Sequence, residues 1–307
     1  MSAEQPNTYE IHGLRQVKDT ITLISQLNTL TPEEFFSLYG AEINEFFSQR
    51  SIADGATPVM VCAYDEINQI GKLAYGLKRS GANVKLVVVD NNSTDGTGDY
   101  AEALGAQVVS ESQQGLIHAL RRGFRHFAEM GYDQPILLTD ADTVPVPSWP
   151  TTMTNFARIH IPYGGESSGI IKHFDEEKGF DDVEENRKAT AAMRKKNIAL
   201  TTGNLVFDAL TATVRKPNPH GPNSVVMPDQ DGRILSALAY ELPIRPEGLA
   251  PTDIAVRDIV KQQRGKIKFC FKPDAIVVTS GRRYDNVLSV IERAVRPNTS
   301  RRKNYKS

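Results

Sequence analysis

The 307 residues carry 36 Lys+Arg against 37 Asp+Glu, so a formal net charge of -1 excludes a global field that would draw the chain to nucleic acid or to an anionic membrane. With 40% hydrophobic residues the chain is long enough to bury one large core, or a core plus a smaller appended unit. No basic-then-apolar N-terminus and no window near eighteen apolar residues occurs, and the two cysteines, Cys62 and Cys270, sit inside apolar stretches; together these read as a cytoplasmic protein with buried thiols, not an integral membrane protein or a disulfide scaffold.

Residues 1–56 read as an N-terminal helical arm. LRQVKDTITLISQLNTL places apolar residues at helical spacing, and Thr31-Pro32-Glu33-Glu34 is a helix start with a capping hydroxyl, proline at the first position and acids in the first turn. The apolar face formed by Phe35, Phe36, Leu38, Ile43, Phe46 and Phe47 must be covered by the main body or by a second subunit, which makes a homo-oligomer through the arm one of two expectations.

From Thr57 short apolar runs alternate with amphipathic helices: strands in TPVMVCAY, VKLVVVD, AQVVSE and PILLTD, and helices in NQIGKLAYGLKRSG, TGDYAEALG and GLIHALRRGFRHFAEMG. Strands apolar on both faces that alternate with helices imply a parallel sheet covered on both sides, an α/β doubly wound core. The ligand then belongs beyond the carboxyl ends of the strands, where Tyr64-Asp65-Glu66, Asp90-Asn91-Asn92 and Asp140-Ala141-Asp142 gather. After Pro150 the pattern is less regular. A charged stretch from His173 to Asn197 reads as a loop and helix, and IALTTGNLVF as a strand and turn. HGPNSVVMPDQDGRILSALAYEL and PTDIAVRDIVKQQRG read as two helices, KIKFCFKPDAIVVTS as strand-like, and RRKNYKS as a basic tail.

Asp140 and Asp142, two residues apart at a strand end, point roughly the same way, and their charges repel unless something positive lies between them. Oxygen-only ligands select a hard cation, Mg²⁺ or Mn²⁺. The plainer alternative is turn chemistry, with Asp140 capping and Asp142 solvated. In VVVDNNSTDGTGDY, Ser93, Thr94 and Asp95 suit helix capping, whereas Asp90, which ends the strand, suits a ring N–H or ribose hydroxyls.

Taken in order, AYDEINQI, VVVDNNSTDGT, GLIHALRRGF, LLTDADT and TTGNLVF resemble the family 2 glycosyltransferases, whose nucleotide-sugar domain has the GT-A fold; the match spans about residues 57 to 210. The resemblance implies a 57–307 glycosyltransferase domain, with 57–150 as the nucleotide-sugar half and 151–307 as the acceptor half and tail. Ala63, Tyr64 and Glu66 would line the nucleotide pocket, and Asp90, beside Asn92, would hold the base, usually uracil. Asp140 and Ala141 would meet the sugar or ribose. Asp142, with Asp140, would ligate the metal that bridges the diphosphate, a role to which His220 is a candidate addition and otherwise a surface loop histidine. Gly203 and Asn204 would form the acceptor floor. An inverting transfer needs a base, for which Asp253 is favoured and Asp231 is the other candidate. Arg121 and Arg122 could serve the diphosphate, or one of them a surface helix face; Arg282 and Arg283 could clamp phosphate or pair with acids of the charged stretch; and Trp149 suits a sugar-stacking platform or a hydrophobic plug.

The activity implied is transfer from a nucleotide-diphospho-sugar, a UDP-sugar, to a sugar, lipid-linked or small-molecule acceptor. The competing readings are a non-catalytic nucleotide- or glycan-binding module and a nucleotidyltransferase. The second needs a Gly-rich loop with basic residues after the first strand, where AYDEINQI supplies acids.

Overall fold

The computed structural model describes residues 8–174, 223–243, 252–270 and 272–280. The N-terminal region forms α1 (Thr8–Leu27), α2 (Pro32–Phe35), a π-helical turn (Phe36–Gly40) and α3 (Ala41–Ser48). The expected start of α2 is present: Thr31 Oγ accepts from the Glu34 amide at 3.2 Å while Glu34 Oε2 accepts from the Thr31 amide at 2.9 Å.

Strands β1 (Thr57–Ala63), β2 (Val84–Asp90), β3 (Gln107–Ser110) and β4 (Ile136–Asp140) are parallel, and α4 (Ile67–Arg79), α5 (Thr97–Ala103) and α6 (Leu116–Glu129) connect them. These are the elements that the alternating pattern anticipates.

Beyond Asp140 the chain departs from the expected sequence of elements. β5 (Thr143–Pro145) leaves the main sheet, α7 (Trp149–His160) follows, and then come β6 (Gly165–Ser168) and β7 (Ile170–Phe174). SVVM, read above as part of a helix, is strand β8 (Ser224–Met227), and only Arg233–Tyr240 of that stretch is helical (α8). After α9 (Thr252–Gln262), the segment read as one strand-like run divides into β9 (Lys266–Phe269) and β10 (Ile276–Ser280), which belong to different sheets. Pro273, in the short 3₁₀ turn Pro273–Ala275, breaks the run.

Among the described residues the main sheet has the order β3-β2-β1-β4-β8-β6-β9, with β8 antiparallel to both neighbours. A smaller sheet has the order β5-β10-β7. One face of the main sheet is covered by α4, α5, α7 and the N-terminal helices, the other by α6, α8 and α9.

Of the apolar face expected on the N-terminal helices, Phe35, Ile43 and Phe47 are buried against this chain and Phe46 is half-buried, whereas Phe36 and Leu38 stay exposed. Val17, Ile21, Ile24 and Leu27 recur at helical spacing along α1 and are buried with Phe35, Ile43 and Phe47 in the same core as Val59, Val61, Leu86 and Trp149. Polar contacts fix the docking. Lys85 on β2 donates to the carbonyls of Phe47 (2.9 Å) and Gly105 (2.8 Å), so a cation stabilises the carboxyl end of α3. Asn44 donates to the Ala103 carbonyl at the end of α5.

A shared core predicts shared unfolding. Phe47→Ala is expected to cost about 3–5 kcal/mol while keeping one urea transition, seen alike by circular dichroism and by Trp149 fluorescence. A separate, earlier helical transition that leaves the Trp149 signal unchanged would contradict the shared core.

Candidate active site at the carboxyl edge of the sheet

The register brings the predicted residues to one height. Ala63 pairs with Asp90, Asp90 with Ser110, and Cys62 with Asp140, so β1, β2, β3 and β4 end together. The chain proceeds outward from β1 to β2 and β3 on one side, and β4 lies on the other. In open α/β sheets such a reversal is the point where a ligand crevice forms, which places it here beyond β1 and β4. Asp90 and Asp140 stand two strand spacings apart, about 10 Å between backbones, the scale of a nucleoside measured from base to phosphate. By strand alternation Asp90 shares the face of Leu86 and Val88, and Asp140 shares that of Leu138. A ligand touching both must cross the strand ends.

The loops after β1 and β2 are laced to each other. Asp65, in the left-handed region at φ 52°, accepts through Oδ1 from the Thr94 amide (2.7 Å) and the Thr94 hydroxyl (3.3 Å), and its own amide donates to Ser93 Oγ (3.1 Å). The Thr94 amide is the main cause that lowers the Asp65 pKa. The lock is therefore complete above the ordinary carboxylate range and loosens as pH falls through and below it. Asp95 accepts from the Ile67 amide at 3.0 Å and from the Thr97 amide at 2.9 Å. Thr97 Oγ, fully buried, accepts from the Glu66 amide at 2.8 Å. The first amides of α4 are thus satisfied by the β2 loop. Asp95 serves α4 as well as its own helix, and Thr94 serves Asp65, which differs from the simple capping of α5 expected above.

Asn91 has a requirement that only an amide meets. It is buried, its Nδ2 donates to the Gln113 carbonyl at 2.7 Å, and its Oδ1 accepts from the Gly115 amide at 2.7 Å. A carboxylate at this position would accept but could not donate. Asp90 remains half-buried at the strand end, where Oδ1 accepts from the Ser93 amide at 3.3 Å. α5 starts beside it, and a Cβ on Gly98 would lie 3.0 Å from Asp90 Oδ2.

Around the acid pair, Asp140 is exposed, Ala141 is buried and Asp142 is half-buried. Asp142 Oδ1 accepts from Thr279 Oγ at 3.3 Å. Burial, with the charge of Asp140 added, pushes the pKa of the adjacent Cys62 thiol well up, so the thiol stays neutral. Tyr64 is exposed at the rim and Glu66 is half-buried beside it. Among the described residues no group of three or more His, Cys, Asp or Glu side chains is placed to hold a metal ion. The donors that β4 itself offers a cation are two carboxylates, a set that suits a hard ion with further positions filled by phosphate or water.

Four expected residues prove to be structural or misplaced. Trp149 is fully buried and its ring N–H donates to Asn223 Oδ1 at 2.7 Å, so it plugs the core and offers no face to a sugar. Arg121 donates to the carbonyls of Ala239 (3.3 Å) and Tyr240 (2.8 Å), which engages its guanidinium at the end of α8 instead of a diphosphate. Arg122 similarly donates to the Ser110 carbonyl. Asp231 lies at the opposite edge: β8 runs against β4, its end Met227 faces Gly165 at the amino end of β6, and Asp231 follows four residues later, exposed and paired with Arg233 at 3.3 Å. It cannot serve chemistry at Asp140. Gly203, Asn204, His220, Arg282 and Arg283 lie outside the described residues.

The profile of glycosyl transferase family 2 matches residues 59–213 of the 307, a span that contains Asp90, Asp140 and Asp142. The chain belongs to glycosyl transferase family 2. Its fold, a mainly parallel sheet flanked by helices, is that of the GT-A glycosyltransferases, and the chain is a glycosyltransferase. Among solved structures it is similar to glucosyl-3-phosphoglycerate synthase from Mycobacterium tuberculosis in complex with Mn²⁺, UDP and phosphoglyceric acid: 19% identity over 85% of this chain and 84% of that one, TM-score 0.44. It is also similar to a mannosyltransferase from Pyrobaculum calidifontis in complex with GDP-Man and Mn²⁺: 19% identity over 84% and 68%, TM-score 0.41. No curated protein matches the chain. Family membership excludes the nucleotidyltransferase reading. No helix among the described residues is long and apolar enough to cross a membrane.

For this family 2 member the lacing makes a prediction of its own. Asn91→Asp is expected to lower stability by about 1–3 kcal/mol, because the buried amide group that donates to the Gln113 carbonyl is replaced by an acceptor; thermal unfolding measures this. Asp95→Ala is expected to raise the KM for the donor with a smaller change in kcat, since it frees the pocket loops without touching the reacting atoms. A kcat loss at unchanged KM would contradict that role.

Proposed function

We propose that this glycosyltransferase transfers a sugar from a UDP-sugar to an acceptor hydroxyl, with a divalent cation, Mn²⁺ or Mg²⁺, and with inversion. The observation that carries the reading is the alignment of Asp90 and the Asp140–Asp142 pair at one sheet edge, across the crevice between β1 and β4. Asp90 accepts the ring N–H of the base, and Tyr64, Ala63, Glu66 and Asn92 line the same end. Asp140 and Ala141 meet the ribose or sugar, and Asp142 with Asp140 holds the cation. A cation held by Asp142 and Asp140 would supply positive charge against the diphosphate as it leaves.

Asp253 is the base in this reading. It stands in the first turn of α9, and α9 descends toward the amino edge, where β9 begins at Lys266 opposite Gly165. Ten residue steps of 1.5 Å put that first turn about 15 Å above the helix end, on the carboxyl-edge side. Asp253 would take the proton of the acceptor hydroxyl as the bond to the anomeric carbon forms and the bond to the diphosphate breaks. Gly203 and Asn204 are proposed for the acceptor floor, and His220 for an additional cation contact, from the resemblance alone.

Thermal shift and turnover separate these roles. The wild type is expected to be stabilised by UDP-glucose with Mn²⁺, by about 2.7 kcal/mol at a hundredfold excess over Kd, and less by GDP-mannose. Asp140→Ala with Asp142→Ala should abolish that shift. Asp253→Asn should keep the shift and lose turnover by about 10²-fold or more. Full turnover in Asp253→Asn would remove it as the base.

A further inference from the structure

Asp142 is followed at once by Thr143, the first residue of β5, and Thr143 is the register partner of Thr279 on β10. Thr143 Oγ donates to Thr279 Oγ at 2.8 Å, and Thr279 Oγ donates to Asp142 Oδ1 at 3.3 Å. Both threonines are buried, Thr143 at 0% and Thr279 at 4% exposure. The direction of this chain is set by its end. An ionised carboxylate only accepts, so the single Thr279 hydroxyl hydrogen donates to Asp142, and an oxygen lone pair of Thr279 accepts the hydrogen bond from Thr143.

A neutral donor is well suited to this place. An arginine or lysine would orient the carboxylate but also neutralise it, and would compete with a cation for its charge. A hydroxyl fixes one carboxylate oxygen and adds no charge of its own. The small sheet thereby fixes the residue that the main sheet delivers, because β5 and β10 hold the two hydroxyls in cross-strand register.

We propose that Thr279 is a positioning residue for the divalent cation: buried and bonded to Thr143, it sets the orientation in which Asp142 meets the ion. This rests on the reading of Asp142 as a cation ligand. Partners of metal ligands of this kind are worth about 10–100-fold in metal affinity or activity.

The test titrates Mn²⁺ in the presence of UDP, reading free Mn²⁺ by electron paramagnetic resonance, for the full chain and for Thr279→Val, Thr279→Ser, Thr143→Val and Asp142→Asn. Thr279→Val is expected to weaken Mn²⁺ about 10-fold or more, Thr279→Ser to restore it, and Thr143→Val, which removes an equally buried hydroxyl from the same pair, to weaken it less than Thr279→Val. In turnover, Thr279→Val should raise the Mn²⁺ concentration for half-maximal rate and leave the rate at saturating Mn²⁺ near that of the wild type. If Thr279→Val does not fold, Thr279→Ala is read in its place. Wild-type Mn²⁺ affinity in Thr279→Val, beside a loss in Asp142→Asn, overturns the inference and leaves the cation reading standing. Equal losses in Thr279→Val and Thr143→Val also overturn it, since they show a general loosening of the small sheet. Unchanged affinity in Asp142→Asn removes the cation reading, and the inference with it.

Discussion

Parallel strands that stop at one height gather their terminal carboxylates at one edge, and the repulsion among those charges is the problem the rest of this molecule is arranged around. Asp90 ends β2, Asp140 ends β4, and Asp142 lies two residues further on. In water such acids would turn apart. Here the strands fix their backbones, and hydrogen bonds from Ser93 and Thr279 hold Asp90 and Asp142 at specific oxygens. A site of this kind favours a ligand that brings positive charge and further hydrogen-bond donors with it. A nucleotide sugar accompanied by a hard cation does both.

The support for this edge comes from two directions. On the β2 side, backbone amides of one loop are satisfied by side chains of the other, through Asp65, Asp95 and Thr97, and Asn91 ties in the loop after β3. On the β4 side a second, smaller sheet begins immediately after the acid pair and reaches it through Thr143 and Thr279. The pocket is therefore held by polar contacts between loops that are far apart in sequence, above a core in which Trp149, Phe47 and Leu86 are packed out of reach of solvent. The N-terminal helices belong to that core, with Lys85 and Asn44 as their polar anchors.

The alternation of strand and helix from Thr57 to Asp140 was legible because buried parallel strands are apolar on both faces and their helices are amphipathic, so each block has its own period. The capping box at Thr31 was legible for the same local reason. Beyond Asp140 the strands are three to five residues long, and periodicity has too little length to act on. SVVM looked like the start of a helix because its helix follows so closely, and its strand character comes from pairing with β4 and β6. Asp231 was plausible by pattern and wrong by topology: only the antiparallel direction of β8 shows that it faces the far edge. Trp149 and Arg121 have side chains able to do what was expected of them, but their partners, Asn223 and the end of α8, come from regions that no local motif connects to them.

The central claim concerns where a cation and a diphosphate sit. Crystals grown with Mn²⁺ and UDP, measured for the anomalous signal of manganese, test it most directly. The account predicts one peak at coordination distance from Asp142, shared with both phosphates, and the uracil ring beside Asp90. Manganese on other residues, with the diphosphate bound and Asp140 and Asp142 both turned away from it, would contradict it.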